Sequence, residues 1–418
     1  MVKIGIVGVG TVGESVVKNI QKNRDLIKAR AGKEIIVKSG VVRDITKKRD
    51  VNIYLTTDYK EITRDPEIDI VVELMGGVEK AYEVVSDALK HKKAVVTANK
   101  ALLAYHRFEL QNLATTPFEY EASVAGGIPI IKALRDGLSA NHIEEIKGII
   151  NGTCNYILSE MKKGRDYKDV LKEAQKLGYA EADPTFDVGG FDAAHKLLIL
   201  ASIAYNIDAK PEDILIEGIE NINLTDIEFA KEFGYEIKLL GIAKKTGDKI
   251  ELRVHPTLIK NTQMIAKVEG VMNAVSVIGD VVGETMYYGP GAGGDATASA
   301  VISDIIEIAR GNVNPMLGYK KPLENEKLTL KNADEFETKY YLRIAVNDKL
   351  GVLEKIANTL AKNNISIESF LQKPKNGYVK LLFSTHKSIE KNIKKAISEI
   401  ESFDFVIKPI NFIRIEEN

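Results

Sequence analysis

The chain has 418 residues, 44% of them hydrophobic, which is ample for large cores and by length points to roughly three domains. Lys and Arg number 58 against 59 Asp and Glu, a balance that asks for neither a nucleic acid nor an anionic membrane as partner. Cys154 is the single cysteine, so no intramolecular disulfide can form; with no signal-like N-terminus and no membrane-length apolar run, a cytoplasmic protein is expected.

An apolar strand, Ile4 to Val7, opens the chain. Gly8, Gly10 and Gly13 follow in a G-x-G-x-x-G spacing, and an amphipathic helix is expected from about Gly13 to Ile20. Strand, glycine loop and helix in this order are the context that a dinucleotide fingerprint requires. Gly8 permits the tight turn, Gly10 lets a pyrophosphate approach the backbone, and Gly13 lets helix and strand pack closely; Thr11 and Val12 complete the loop. The phosphates belong at the helix N-terminus, where free N–H groups and the dipole favour an anion. The next strand ends at Arg43 and Asp44. An arginine there grips a 2′-phosphate and an acid bonds a 2′-hydroxyl, so Arg43 favours NADP while Asp44 keeps NAD open.

Further parallel-type strands are "DIVVEL" from Asp69 and "KAVVTANK" from Lys93, and "PFEYEASVAGGIPI" carries another with the pair Gly126 and Gly127. Ligands of doubly wound sheets bind at the carboxyl ends of the strands, which places Thr97 and Lys100 at the expected crevice. A cation is disfavoured at a helix N-terminus, so Lys100 reads as a residue that holds substrate or cofactor.

Beyond about Ile130 the alternation of strand and helix changes. "HIEEIKGIING" reads as a strand, and "NYILSEMKKG" and "YKDVLKEAQKLG" as helices, the second ending at Gly178. Glu181, Asp183, Pro184 and Asp187 occupy a stretch without helical periodicity. After Gly189 and Gly190 comes "FDAAHKLLILASIAYN", apolar nearly all round and therefore a buried helix. Asp192 and Lys196 are four residues apart on one face of it. Burying two charges is costly unless they find further partners, and a charged substrate would supply them. A lysine held against an acid beside a carbonyl can relay a proton. Spacing alone leaves a structural ion pair and a functional one equally open. His195 lies on a different face and reads as a core histidine; Cys154 reads as a buried small hydrophobe.

"EIKLLGIAKKTGDKIELRVHPTLI" reads as two strands turning at Gly247–Asp248. Gly289, Gly291, Gly293 and Gly294 then make a loop before a long helix opened by Asp295, a second place, at Gly293, where backbone can approach a cofactor closely. Pro315, Pro322 and a polar run mark a linker. The remainder reads as strand, helix, strand, a turn at Asn376–Gly377, strand, helix, strand, which is a βαββαβ ferredoxin-like pattern.

The stretch "AQKLGYAEADPTFDVGGFDAAHK", Ala174 to Lys196, resembles the signature of homoserine dehydrogenases, and "TANKALLA", "YEASVAGGIPI" and "IINGTCNYIL" resemble segments of the same family in the same order. Cys154 stands where that family more often has threonine. Residues 338–418 resemble an ACT domain, a small amino-acid-sensing module, although Lys349 stands where its loop often has proline. The resemblance implies reversible NAD(P)H-dependent reduction of L-aspartate 4-semialdehyde to L-homoserine, with Lys196 exchanging the proton, Asp192 orienting it, Lys100 assisting near the nicotinamide, and Glu181 and Asp187 binding the substrate amino group. It also implies a monovalent cation, sodium in most of the family, held largely by backbone carbonyls at Glu121, Val124, Gly126 and Ile128, and a homodimer or higher assembly. An amino-acid effector is expected at the C-terminal module. The expected architecture is α/β: a Rossmann-type doubly wound domain at 1–130 with a helix at 295–318 returning to it, an α+β catalytic and dimerisation domain at 131–294, a linker at 319–337 and the ACT module at 338–418. Two rivals are a non-catalytic amino-acid sensor that keeps the cofactor fold, and an NAD(P)-dependent amino-acid oxidoreductase of different substrate.

Overall fold

The computed structural model describes residues 1–321, 323, 327–375 and 378–417. Pro322 and the turn expected at Asn376–Gly377 lie outside the described residues. Two compact units emerge: one of Met1–Gly152, Phe191–Ile214 and Val271–Leu328, the other of Thr153–Gly190, Leu215–Gly270 and the chain from Thr329 onward. Residues 131–294, read from the sequence as one domain, are thus shared between the units.

The first unit holds a six-stranded sheet of β1 (Val2–Val7), β2 (Ile35–Val41), β3 (Tyr54–Thr56), β4 (Ile70–Glu73), β5 (Ala94–Thr97) and β6 (Phe118–Glu119), in the order β3-β2-β1-β4-β5-β6. Every neighbouring pair is parallel. This is the doubly wound order, and its order reverses beside β1, where such sheets take their ligand. The strands are apolar on both faces because helices cover both, as parallel sheets require. The first helix runs from Thr11 to Lys22, longer at each end than the periodicity of its apolar residues predicts. The helix Gly294–Arg310 packs on it: Ser15 donates to the Asp295 carboxylate, Asn19 Nδ2 does so at 3.0 Å, and Val16, Val17, Ala298, Val301 and Ile305 share one core. It stops at Arg310, short of the expected Gly318, because Gly311 at φ +89° caps it in the left-handed conformation.

The same unit carries an antiparallel sheet of Ile143–Ile149, Met272–Gly279 and Gly283–Pro290. It also carries the apolar helix Phe191–Tyr205, which packs on the helix Lys100–Leu113. Arg107, 1% exposed, locks the two helices together by donating to Ser202 Oγ at 2.5 Å and to Ala209 O at 2.6 Å.

In the second unit, Tyr235–Thr246 and Lys249–Lys260 form a hairpin that turns at Gly247 (φ +62°), as the sequence predicts. The C-terminal strand Val406–Glu416 pairs in parallel with Lys249–Lys260 and antiparallel with Glu337–Val346, which pairs with Tyr378–Thr385, which pairs with Ile367–Lys375. Helices Val352–Lys362 and Glu390–Glu401 complete the βαββαβ order around Leu342, Ile344, Ile356, Phe383 and Ile393. Thr329–Leu330, inside the stretch read as a linker, is a short strand on Lys249–Ile250, and Phe336 is buried. The stretch around Asp187, read as irregular, contains the single-turn helix Thr185–Val188, started by Asp183, whose Oδ1 accepts from the Thr185 amide at 3.1 Å and its hydroxyl at 2.7 Å.

Candidate active site

The glycine loop has the shape that a pyrophosphate needs. Gly8 sits at φ +108°, and a Cβ there would lie 2.7 Å from the Leu74 backbone; one on Gly13 would lie 2.5 Å from the Gly8 carbonyl. Gly10 instead has nothing within 4 Å of where its Cβ would be, so the loop is closed on its packing sides and open above Gly10. Gly10 is also the N-cap of the first helix and offers no side chain to cap it, leaving that end to an external anion. A cavity of about 580 Å³ opens there, lined by Gly10, Thr11, Ser15, Lys18, Lys47 and Arg49 among others. Gly294, at the start of the returning helix, also lines it, next to Gly293 at φ +118°. Val12, the second residue of the first helix, is half-buried. Arg43 is exposed just past β2. Besides Lys18 on the helix, the cavity wall brings in two loop cations that the sequence reading passed over: Lys47, and Arg49, which donates to the carbonyls of Val9, Asp44 and Lys47 at 2.8–2.9 Å. Both lie in a polar loop without periodicity, where only proximity in space reveals them. The residues present fit a nicotinamide dinucleotide.

Thr97 ends β5 fully buried. Its hydroxyl donates to Glu73 Oε2 at 2.6 Å and accepts from the Asn99 amide at 3.0 Å, so it holds the floor of the crevice together. Burial pushes the Glu73 carboxyl up from its ordinary pKa. Asn99 caps the next helix through Leu102 N at 3.0 Å, which sets Lys100 as its first residue.

Lys100, Asp192 and Lys196 come together. Lys100 Nζ is 2.7 Å from Asp192 Oδ1, and Lys196 Nζ is 2.7 Å from Asp192 Oδ2. Lys196 also donates to the Ile150 carbonyl at 2.8 Å, and Asn151 Nδ2 donates to Asp192 Oδ2 at 2.9 Å. The aspartate side chain is 4% exposed, Lys196 12% and Lys100 35%, so the group opens to solvent from the Lys100 side. Burial acts to raise the Asp192 pKa, but the two ammonium groups outweigh it and hold the carboxyl well below the usual carboxylate range. Ile150 and Asn151 follow the strand Ile143–Ile149, and Gly152 admits no side chain, since a Cβ there would meet the Val271 carbonyl at 2.7 Å. Asn151 carries no motif of its own in the sequence; its place just after the strand expected in "HIEEIKGIING" is the signal it offers. His195 is buried on the same helix, edge-on to Tyr105 at 5.6 Å, and burial lowers its pKa.

The other site candidates are placed as follows. Glu181 is exposed, its main-chain carbonyl accepting from Gln175 Nε2 at 3.1 Å. Asp187 is half-buried in the one-turn helix, and its carbonyl accepts from the Cys154 thiol at 3.3 Å. Cys154 itself is fully buried. The Glu121 carboxylate is committed to the amides of Ile131 at 2.8 Å and Lys132 at 2.9 Å, and burial raises its pKa to about 7. Any cation at Glu121, Val124, Gly126 and Ile128 would therefore take main-chain oxygens, and the left-handed residues Ala125 (φ 54°) and Gly126 (φ 49°) coil the backbone there into the tight turn that such a donor set needs. Among the described residues no group of three or more His, Cys, Asp or Glu could hold a metal ion, and no helix is long and apolar enough to cross a membrane.

A parallel doubly wound sheet with an open glycine loop, and an aspartate shared by two lysines past its strand ends, define a nicotinamide-dependent oxidoreductase. Family profiles match in three places: "Homoserine dehydrogenase, NAD binding domain" at residues 8–117, "Homoserine dehydrogenase" at 129–306 and "ACT domain" at 340–405. The chain is 58% identical to a Helicobacter pylori homoserine dehydrogenase, over 99% of this chain and 98% of that one, and 46% identical to the Neisseria gonorrhoeae enzyme over the same shares. The structure of a homoserine dehydrogenase from Thiobacillus denitrificans superposes with a TM-score of 0.94 at 46% identity, covering 100% of this chain and 98% of that one. A hyperthermophilic archaeal homoserine dehydrogenase solved in complex with NADPH matches 73% of this chain and 97% of its own at a TM-score of 0.63 and 29% identity. The chain belongs to the homoserine dehydrogenase family and is an oxidoreductase with a nicotinamide-cofactor domain and a C-terminal ACT domain.

Proposed function

We propose that the chain interconverts L-homoserine and L-aspartate 4-semialdehyde with Lys196 as the group that exchanges the proton with the substrate oxygen. The observation that carries this reading is the sharing of the Asp192 carboxylate between Lys100 and Lys196. A structural ion pair needs one lysine. A second on the same buried carboxylate leaves two cations on one anion, and the surplus positive charge suits an oxygen that gains negative charge as a carbonyl is reduced. The bound nicotinamide supplies or accepts the hydride. Asp192 fixes the direction of Lys196, and the Ile150 carbonyl fixes its depth. Lys100, the more exposed of the two, faces the cofactor side and assists the proton transfer. Glu181 and Asp187 are the carboxylates that receive the substrate ammonium. Gly8, Gly10, Thr11, Val12, Gly13, Thr97 and Gly293 cradle the cofactor. Arg43 and Lys47 favour NADP, in keeping with the NADPH held by the archaeal relative, and Arg49 braces their loop.

The finer reading is of a cytoplasmic enzyme, a homodimer or higher assembly, in threonine, methionine and isoleucine biosynthesis. It has a nucleotide domain at 1–130, a catalytic and dimerisation domain at 131–294, sodium at the Glu121–Ile128 segment and an amino-acid effector on the ACT module. The sensor alternative is disfavoured, because a sensor needs no two lysines on one aspartate. The test is homoserine oxidation by the purified protein with NADP and with NAD, beside Lys196→Ala. Loss of turnover in the variant, with cofactor binding retained in a fluorescence titration, supports the assignment. A wild type that binds cofactor but turns over neither homoserine nor the semialdehyde overturns it.

A further inference from the structure

The second unit contains a fully buried arginine that has no part in the chemistry above. Arg414 lies on the last strand of the ACT module, opposite Thr257 of the neighbouring parallel strand. Its Nη1 donates to Glu217 Oε2 at 2.7 Å and its Nη2 to Glu217 Oε1 at 2.8 Å. On its other side Nε donates to Glu390 Oε2 at 2.9 Å, and Nη2 to Glu390 Oε1 at 2.5 Å. The Tyr340 hydroxyl donates to Glu390 Oε2 at 2.8 Å. Arg414 and Glu390 are 0% exposed, whereas Glu217 is 35% exposed. A buried charge pair is a poor way to gain stability against an apolar alternative. What a guanidinium fork does better than any apolar group is hold a carboxylate in one place and one orientation.

The place it holds matters. Glu217 follows the short strand Leu215–Ile216, and its amide donates to Val254 O at 2.8 Å. The next two residues support the Asp187 segment directly. A Cβ on Gly218 would lie 2.4 Å from the Val188 carbonyl, and Ile219 N donates to that same oxygen at 2.9 Å. Gly190, at φ +88°, leaves only 3.2 Å between a would-be Cβ and Ile216 or Val254. Asp187 is tied into this segment by its own amide, which donates to Pro184 O at 2.9 Å, and by its carbonyl, which accepts from Gly190 N at 3.0 Å. Backbone rests on backbone where Gly218 and Ile219 meet Val188 and Gly189.

We propose that Glu217 and Arg414 form a joint through which the ACT module positions the Pro184–Gly190 segment, and so sets the affinity for the amino-acid substrate. The proposal rests on the reading of Asp187 as a substrate ligand. Glu217 and Arg414 act as positioning residues and touch neither substrate nor cofactor.

The experiment is steady-state kinetics of homoserine oxidation by the full chain carrying Glu217→Gln. This variant keeps the shape, and it leaves Arg414 paired with Glu390, so the fold is retained. The expected result is a homoserine KM raised about five-fold or more, the low end for coupling between sites. The cofactor KM and kcat stay within about two-fold, the pattern of lost substrate binding. Arg414→Lys should raise the homoserine KM likewise, and the double variant should be no worse than the poorer single one. An unchanged homoserine KM in an active Glu217→Gln protein overturns the joint and leaves the functional reading standing. So does a parallel loss in both KM values and kcat, the signature of a loosened fold. A wild type that binds cofactor without oxidising homoserine overturns the functional reading, and the joint with it.

Discussion

Asp192→Asn is the sharpest single perturbation of the lysine pair, because it removes one charge and almost no volume. Asp192 Oδ1 and Oδ2 each lie 2.7 Å from a lysine Nζ, and the side chain is 4% exposed. Removing one partner of a buried ion pair costs about 3–5 kcal/mol. Lys100, 35% exposed, can turn its ammonium to water and carries little of that cost, while Lys196, 12% exposed, carries most of it. The variant should therefore lose about 3 kcal/mol of unfolding free energy. Because the folded Asp192 pKa is depressed, its contribution is complete above the unfolded value of about 3.9 and is lost only as pH falls through the lower folded value. The stability gap between wild type and variant should accordingly be flat from about pH 5 to about pH 9 and shrink only in stronger acid. Activity should fall far more than stability: with Lys196 no longer aimed, the proton-transfer contribution of about 10²–10⁴-fold in kcat is lost. The assay pairs kcat for homoserine oxidation with urea unfolding and a cofactor titration. A variant that loses the stability but keeps kcat within a factor of about two would show the ion pair to be structural, and the proton-transfer assignment would fall.

Gly13→Ala puts a methyl 2.5 Å from the Gly8 carbonyl and should abolish cofactor binding in a fluorescence titration; binding within about two-fold of wild type would rule out the loop as the phosphate site. Lys47→Ala should raise the NADP KM about ten-fold and spare the NAD KM, since it lines the cavity and a 2′-phosphate is the only extra anion; an equal effect on both would refute a selective contact. Arg49→Ala should weaken both cofactors alike, because Arg49 pins the loop through three carbonyls; an NADP-only effect would reverse that assignment. Lys238, whose pKa burial lowers to about 8, binds a proton in the unfolded chain but not in the folded one between about pH 8 and about pH 10. Stability should therefore rise with pH across that window, relative to Lys238→Met, in parallel unfolding titrations; a parallel pH course in the two proteins would refute it.

The fold was legible wherever one local signal sufficed. The glycine spacing, the apolar strands and the βαββαβ order each follow from periodicity and turn residues, and each is present. Ends were misread where capping decides: Gly10 starts the first helix at Thr11, and Gly311 cuts the returning helix short. The Asp192–Lys196 pair was legible from spacing on an apolar helix. That Lys100 meets the same carboxylate from more than ninety residues upstream was not, because only the packing of two helices, locked by Arg107, brings it there. Lys47 and Arg49 escaped for a related reason: a polar loop carries no period, and its charges acquire meaning only once β2 aims it at the glycine loop.

The pieces that sequence reading missed share a property. Asn151, Arg49 and Arg414 each bind main chain or another charged side chain rather than an expected ligand. Residues that fix other residues leave no motif of their own, since their requirement is a distance and not a spacing. In this chain they are what turns a nucleotide fold into a directed site. Asn151 and the Ile150 carbonyl hold the Asp192–Lys196 pair from a strand end, Thr97 and Asn99 hold the helix that presents Lys100, and Gly218 and Ile219 back the segment of Asp187. The chemistry needs few groups, and the larger share of the sequence around them serves to deny those groups any other orientation.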